Sequence, residues 1–409
     1  MRILLATTSI PPRGGGISSY NYELVKTFKD NHCFDLMTTE DVDSLPEYNK
    51  VISIPKHSFG GYKKYVSVIN AVNAEHYDLI INSDSSFVSI AAPFLHSHII
   101  TISHTYNNMP AIEAGFNHQY VDKIVALSAA GKQFLDRYFH IKDKNKVCYI
   151  YNFVHNESDS LLESKLHRDT IIIVYPGGAS MMKHPEMVLL AVNKLLKTSL
   201  RFKFFWLGNP TLPLKEFSLA KHLNELLNDD PRLVFTGHIS REEARRIIES
   251  SNVFLLPSRA EGCPMALIEA LSTGCVPVVG SARHVCREIL EDGHFGVVVK
   301  QGSSKDLFDN LVDIISNHEN YLDNYDKTFH YSREYLSERV WVSKMKQVME
   351  DSLKSQKELK KNNKVNLYLS LIRFRFHYYK MLFKDRMLSI WGLIEFNCIY
   401  LVRKVGVLS

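Results

Sequence analysis

The sequence predicts an α/β protein of two doubly wound parallel-sheet domains followed by a helical extension. Three observations carry this. At 409 residues the chain is too long for a single hydrophobic core and long enough for two domains of ordinary size. Its composition, 45% hydrophobic and 23% charged, is that of a globular protein. Short apolar runs alternate with stretches of helical periodicity, the pattern of parallel strands covered by helices on both faces. No repeat of solenoid period and no low-complexity segment interrupts it.

The elements follow in order. The chain enters a strand at once with Ile3-Leu4-Leu5-Ala6, and Gly14-Gly15-Gly16-Ile17-Ser18-Ser19-Tyr20 then opens a helix. Glycines let backbone approach a ligand closely and a helix start offers unpaired N–H groups; a flexible turn is the plainer reading of the same residues. Ile100 to Ser103 reads as a strand ending at His104, and Val125 to Ser128 and Tyr149 to Val154 as the later strands of the first domain and its exit. Thr170 to Tyr175 opens the second domain, followed by Pro176-Gly177-Gly178-Ala179-Ser180-Met181-Met182-Lys183-His184-Pro185. Phe204 to Gly208 and Leu233 to Gly237 are two buried strands ending in glycine, and Gly296 to Val299 reads as a late strand. In such sheets ligands bind beyond the carboxyl ends of the strands.

The most informative stretch is 257–279. Val253 to Leu256 ahead of it is an apolar run of the buried parallel type. Glu261 and Glu269 stand with seven residues between them, Gly262 and Pro264 among these. Pro264 suits the first position of a helix, so Glu261 falls on the strand-to-helix loop and Glu269 about a turn and a half into the helix. The free amides of the first turn form an anion site. One carboxylate beside that site and another further along the groove suit a ligand with phosphates in the middle and hydroxyls at both ends, which is the shape of a nucleotide sugar.

Together with Arg259-Ala260, Ala270 and Gly274 to Val278, this segment resembles the Glu-seven-Glu motif of retaining glycosyltransferases of the GT-B fold, in particular glycosyltransferase family 4. The resemblance extends over residues 1 to about 350. It implies two Rossmann-like domains facing across a cleft: an acceptor-binding domain at 1–165 and a nucleotide-sugar-binding domain at 166–330. A crossover helix at 331–352 would return to the first domain, and 353–409 would be a basic aromatic tail. It implies that Glu261 bonds the donor sugar and Glu269 the ribose, with Arg259, Gly262, Cys263, Pro264, Met265 and Ala266 completing the donor loop. Gly15 and Gly16 would lie against the donor phosphates, Gly237 near the nucleotide, and Gly177 and Gly178 with Lys183 along the diphosphate. His104 would sit near the reacting sugar; a satisfied structural histidine is the alternative. The family commonly has Gly-Arg where this chain has Gly177-Gly178, with a lysine five residues after the arginine. Lys183 matches the lysine, and Gly178 stands in the arginine's place. Losing an arginine removes a bidentate phosphate clamp, which Arg259, Arg283 or backbone amides would have to replace.

Several classes are excluded or set aside. The first apolar run stops at Ala6, short of a signal-peptide core. No stretch reaches the roughly 18 uncharged apolar residues of a membrane span. The six cysteines show neither metal spacing nor disulfide-framework density, so a reduced, cytoplasmic protein is expected. Cys263 reads as core filler rather than a reactive thiol. Asp41-Val42-Asp43 has the spacing of metal-binding aspartates in the other major transferase fold but reads as a solvated acidic turn. No metal site and no cofactor are expected, the nucleotide sugar being a substrate.

The end of the chain differs in character. Val340, Trp341, Met345 and Val348 recur at helical spacing within 333–349, which resembles the family's last helix. Residues 351–409 carry 12 Lys/Arg against 4 Asp/Glu, a net of +8; the whole chain is +5, so 1–350 sum to −3. On a helix, Arg373, His377, Lys380 and Lys384 form one stripe, flanked by aromatic and aliphatic residues. Such a stripe suits the surface of an anionic membrane, over 365–404. Packing on the enzyme or on a second copy is the alternative, and no motif for nucleic acid supports RNA contact.

The reading that results is a metal-independent, hexosyltransferase-type enzyme. It moves a sugar with retention of configuration from a nucleotide sugar to a glycan or lipid-linked acceptor. Family habit points to bacterial surface polysaccharide (lipopolysaccharide or capsule), made in the cytoplasm or at the inner face of the membrane. Lys183 and helix amides would stabilise the departing diphosphate. A GT-B epimerase or phosphorylase, or an inactive transferase-like subunit, are the alternatives.

Overall fold

In the computed structural model, residues 1–10, 15–54, 62–105, 109–154, 165, 169–177, 181–208, 230–281, 285–355, 367, 369–377 and 379–380 are described. The chain divides into two compact units. The first holds Met1–Leu127, Gly131–Tyr149 and Lys346–Ser409; the second holds Ser128–Ala130 and Ile150–Met345. The division thus falls after Tyr149, ahead of the position expected at 165.

The first unit is a seven-stranded parallel sheet: β1 (Arg2–Ala6), β2 (Cys33–Thr38), β3 (Val51–Ser53), β4 (Leu79–Asn82), β5 (His98–Ser103), β6 (Lys123–Ala126) and β7 (Val147–Tyr149). Their order is β3-β2-β1-β4-β5-β6-β7. β1, β4 and β5 are buried almost end to end, without the alternation of a half-exposed strand, as a sheet covered on both faces requires. The order reverses between β1 and β4, the kind of point at which open α/β sheets bind ligands beyond the carboxyl ends of their strands.

The second unit repeats the plan with β8 (Ile171–Tyr175), β9 (Phe202–Trp206), β10 (Leu233–Phe235), β11 (Val253–Leu256), β12 (Val276–Gly280) and β13 (Val297–Val299), in the order β10-β9-β8-β11-β12-β13. Its reversal lies between β8 and β11. The aromatic centre of its core is Tyr175 against Trp206, edge to face at 4.5 Å. The expected strand over Tyr149 to Val154 ends at Tyr149; beyond it only Val154 pairs, with Ser337. The expected helix over 333–349 is the end of one helix, Leu322–Tyr335, and most of another, Glu338–Leu353. Trp341 of the second helix packs on Phe153, the rings tilted by 34° with centroids 4.6 Å apart.

Residues 369–377 of the tail are helical and pack on the first unit. Leu367 and Phe374 are fully buried in its core, with Leu371 against it. Phe374 meets Phe116 edge to face at 5.2 Å, and His377 faces Phe116, Tyr138 and Phe139. Tyr138 Oη and His377 Nδ1 are 3.0 Å apart, and burial pushes the His377 imidazole below its usual range. His377 therefore leaves the expected cationic stripe and serves the inner face. Arg373 and Lys380 are exposed; Lys384 and the remainder to 409 lie outside the described residues. Phe374→Ala should destabilise the protein by about 3–4 kcal/mol, the cost of a buried aromatic cavity. Chemical denaturation reads it, and a loss under 1 kcal/mol (roughly the value for an exposed site) would contradict this packing.

Candidate active site

At the reversal in the second sheet, the loops leaving β8 and β11 come together. Gly177 opens the first: a Cβ there would lie 1.8 Å from Cζ of Tyr175, so only glycine lets the chain fold back over that ring. Tyr175 Oη donates to the carbonyl of Lys183 at 3.0 Å and holds the far end of the turn. The second loop is pinned to the first by the Arg259 N–H, which donates to the Met182 carbonyl at 2.8 Å. The two cations of these loops each face a carboxylate. Lys183 Nζ lies 2.5 Å from Glu261 Oε1, and Arg259 pairs with Glu186.

His184 stands between these pairs in the left-handed region at φ 60°, as N-cap of the helix Pro185–Leu195, a costly place for a non-glycine residue. Its ring is tied at both nitrogens: Gln301 Nε2 donates to Nδ1 at 2.8 Å, and Nε2 meets Glu186 Oε1 at 3.2 Å. Burial pushes the Glu186 carboxyl up, but His184 and Arg259 more than offset this and hold it below the ordinary range. It is an anion that holds the Arg259 guanidinium.

Pro264 is the N-cap of the helix Met265–Ser272, one position earlier than its sequence suggested. Its φ of −71° and ψ of 117° are extended, and its carbonyl accepts the first helical bond, from Leu267 N at 3.1 Å. Glu261 and Gly262 lie just ahead of this turn, Met265 and Ala266 within it, and Glu269 is its fifth residue. Cys263 is buried and its carbonyl accepts from Asn152 Nδ2 at 2.6 Å. Burial pushes its thiol up to about 12, which makes it a packing residue. Burial likewise raises the Glu269 carboxyl, against the nearby charge of Arg241, whose Nη2 is 3.6 Å away. Gly237, after β10, takes φ 64° and its carbonyl accepts from Gly208 N at 3.1 Å; that left-handed turn explains the glycine. Gly178 and Arg283 lie outside the described residues.

At the reversal in the first sheet, between β1 and β4, a second polar cluster forms. Asp84, just beyond β4, accepts four hydrogen bonds: from Thr7 Oγ1 and Thr8 N at 2.6 Å each, and from Thr8 Oγ1 and Ser9 Oγ at 2.8 Å each. It thereby fixes the backbone leading to the glycine loop. Gly15 caps the helix Gly16–Phe28, and a Cβ on Gly15 or Gly16 would meet nothing within 4 Å; their site is open. Gly14 lies outside the described residues.

His104, just past β5, is buried with Tyr20 edge-on at 5.0 Å. Its Nε2 is 2.6 Å from Ser83 Oγ, which gives its single proton to Asn21 Oδ1 at 2.6 Å. Asn21 Nδ2 donates to Thr7 Oγ1 at 2.9 Å, and Thr7 donates to Asp84. With the serine proton committed, the histidine must be the donor at Nε2. The relay therefore fixes the Nε2–H tautomer and leaves Nδ1 as an acceptor. Burial pushes His104 down to about 4, against the opposing charge of Asp84. Burial and the same charge raise Glu113 to about 8, so it holds a proton at neutral pH.

Thr7, Asn21, Ser83, Asp84, His184, Glu186 and Gln301 were not singled out by sequence. The available signal was position: Asn82-Ser83-Asp84-Ser85-Ser86 is a polar cluster directly after an apolar strand, the place where ligand chemistry gathers. Imidazole nitrogen NMR should find His104 Nε2-protonated at neutral pH and mixed between tautomers in Ser83→Ala; a wild-type mixture would break the relay. The depressed pKa has a signed consequence. Between about 4 and 6.5 the unfolded state takes up a proton that folded His104 refuses, so its contribution to stability falls as pH falls through that window. His104→Asn should flatten the acid side of the stability profile, and an unchanged slope would contradict the burial effect.

Residues 159–330 match the family described as glycosyl transferases group 1. Over 337 residues the chain is 23% identical to a Methanocaldococcus jannaschii protein described as an uncharacterized glycosyltransferase, spanning 78% of this chain and 90% of that one. A shorter match of 219 residues, 25% identical, is to alpha-galactosylglucosyldiacylglycerol synthase of Streptococcus pneumoniae; it spans 49% of this chain and 54% of the relative. Among solved structures, Anabaena HepE in complex with UDP and glucose superposes over 86% of this chain and 99% of its own, with a TM-score of 0.67 at 16% identity, a likeness of fold. Residues 159–330 are thus similar to the glycosyl transferases group 1 family, and the two parallel-sheet units have the GT-B fold.

Proposed function

We propose that this protein transfers a sugar, with retention of configuration, from a nucleoside-diphosphate sugar to a glycan or lipid-linked acceptor hydroxyl. The observation that carries the reading is the Lys183–Glu261 pair at the reversal of the second sheet, beside the start of the helix Met265–Ser272. The helix's first amides and two nearby cations favour a diphosphate. Glu261 then exchanges its bond to Lys183 for bonds to sugar hydroxyls, and Glu269 takes the ribose. The bond between the anomeric carbon and the diphosphate oxygen breaks, and the acceptor oxygen bonds to the same face of that carbon. The acceptor's proton passes to the departing diphosphate. Lys183 and the amides stabilise the charge that grows there, with Arg259, steadied by Glu186, in the role that Gly178 cannot fill. In this reading no metal takes part. His104 offers Nδ1 to a hydroxyl of the acceptor.

Two comparisons support this reading: the Anabaena protein was solved with UDP and glucose, and the pneumococcal relative is a glycolipid synthase. A role in bacterial surface polysaccharide or glycolipid synthesis accords with both.

Release of nucleoside diphosphate from a panel of nucleotide sugars, with and without glycan and lipid acceptors, tests the proposal. Glu261→Gln should lower turnover by about 100-fold or more, the scale of losing a transition-state hydrogen bond to a charged group. It should leave nucleoside diphosphate affinity unchanged or raised, because Lys183 is then released from its partner. Full transfer activity in Glu261→Gln would defeat the assignment.

A further inference from the structure

We propose that the outward face of the tail helix docks on an anionic lipid surface. The helix has two opposed faces. Leu367, Ser370, Leu371, Phe374 and His377 turn inward at helical spacing onto the first unit. On the other side Leu369, Ile372, Phe376 and Tyr379 are 51%, 51%, 68% and 64% exposed. The described residues include nine exposed large hydrophobic side chains, and four of them fall in this one short stretch. Scattered exposed apolar residues need no explanation, but a contiguous patch on a folded helix marks an interaction surface.

The charges around the patch select the partner. At 100° per residue, Arg373 and Lys380 lie along one flank of the apolar strip and Arg375 along the other, all three exposed. Residues 365–384 contain no Asp or Glu. A second copy meeting this face through a two-fold axis would set the same cations against one another. An anionic bilayer answers both features at once, taking the aliphatic and aromatic tips into the headgroup boundary and the cations among the phosphates. The inner packing is what makes this possible, because it holds the helix folded before it meets the lipid and lowers the ordering cost of binding. None of the patch residues belongs to the candidate active site, so the inference stands independently of the donor chemistry.

Sedimentation of the full-length protein with vesicles tests it, using phosphatidylcholine alone and phosphatidylcholine mixed with phosphatidylglycerol. The expected result is binding to the mixed vesicles that weakens with added salt, and little binding to the neutral ones. Arg373→Glu with Arg375→Glu should reduce partition at least about tenfold, as should Phe376→Ser with Tyr379→Ser, in variants whose cooperative melting shows them folded. Equal binding to neutral and anionic vesicles, or no effect of either pair, would overturn the proposal. So would a concentration-dependent dimer, or single-stranded RNA binding, that these substitutions abolish while vesicle binding is absent.

Discussion

A strand buried on both faces has no room for an unpaired polar side chain along its length. Polar chemistry is forced beyond its ends, and that constraint organises both units of this protein. β11 is apolar and buried throughout, and Ser258, Arg259 and Glu261 follow it within five residues. β4 is likewise buried, and Ser83, Asp84 and Ser85 follow it. Where the strand order reverses, two such ends stand side by side. The residues that gather there, Lys183 with Glu261 in one unit and Asp84 with the His104 relay in the other, lie 78 and 20 residues apart in sequence.

The two clusters handle charge differently. Lys183 and Glu261 are both partly exposed, so a ligand can replace Glu261 at modest cost, whereas Arg259 is held by buried Glu186, which His184 also meets. Around Asp84 the single negative charge is met by four donors, three hydroxyls and an amide. A carboxylate so surrounded does not leave its place, and it can orient a neutral histidine through three intervening side chains. The first cluster is built to exchange partners and the second to hold still.

Much of this was legible in the sequence because it rests on local pattern. Most strands, their alternation with helices and the Glu261–Glu269 segment appear within short windows. Pro264 was placed one residue late, since proline suits both the first helical position and the residue before it. The Asp84 network was not legible, because its members at 7, 8, 9, 21, 83 and 104 become neighbours only once β1, β4 and β5 pair. The tail shows the same limit. Spacing put Arg373, His377 and Lys380 in one stripe, but only the contacts with Phe116 and Tyr138 reveal that the histidine faces inward.

The central claim is that the pair at the second sheet's reversal is a diphosphate site. Calorimetric titration with nucleoside mono- and diphosphates, on the wild type and on Lys183→Ala, tests it most directly. The account predicts that one diphosphate binds more tightly than its monophosphate. It also predicts that Lys183→Ala weakens that diphosphate by about tenfold or more, the worth of a charge-assisted bond together with the repulsion left by an unpaired Glu261. Equal affinities for the mono- and diphosphate, or full affinity in Lys183→Ala, would contradict it.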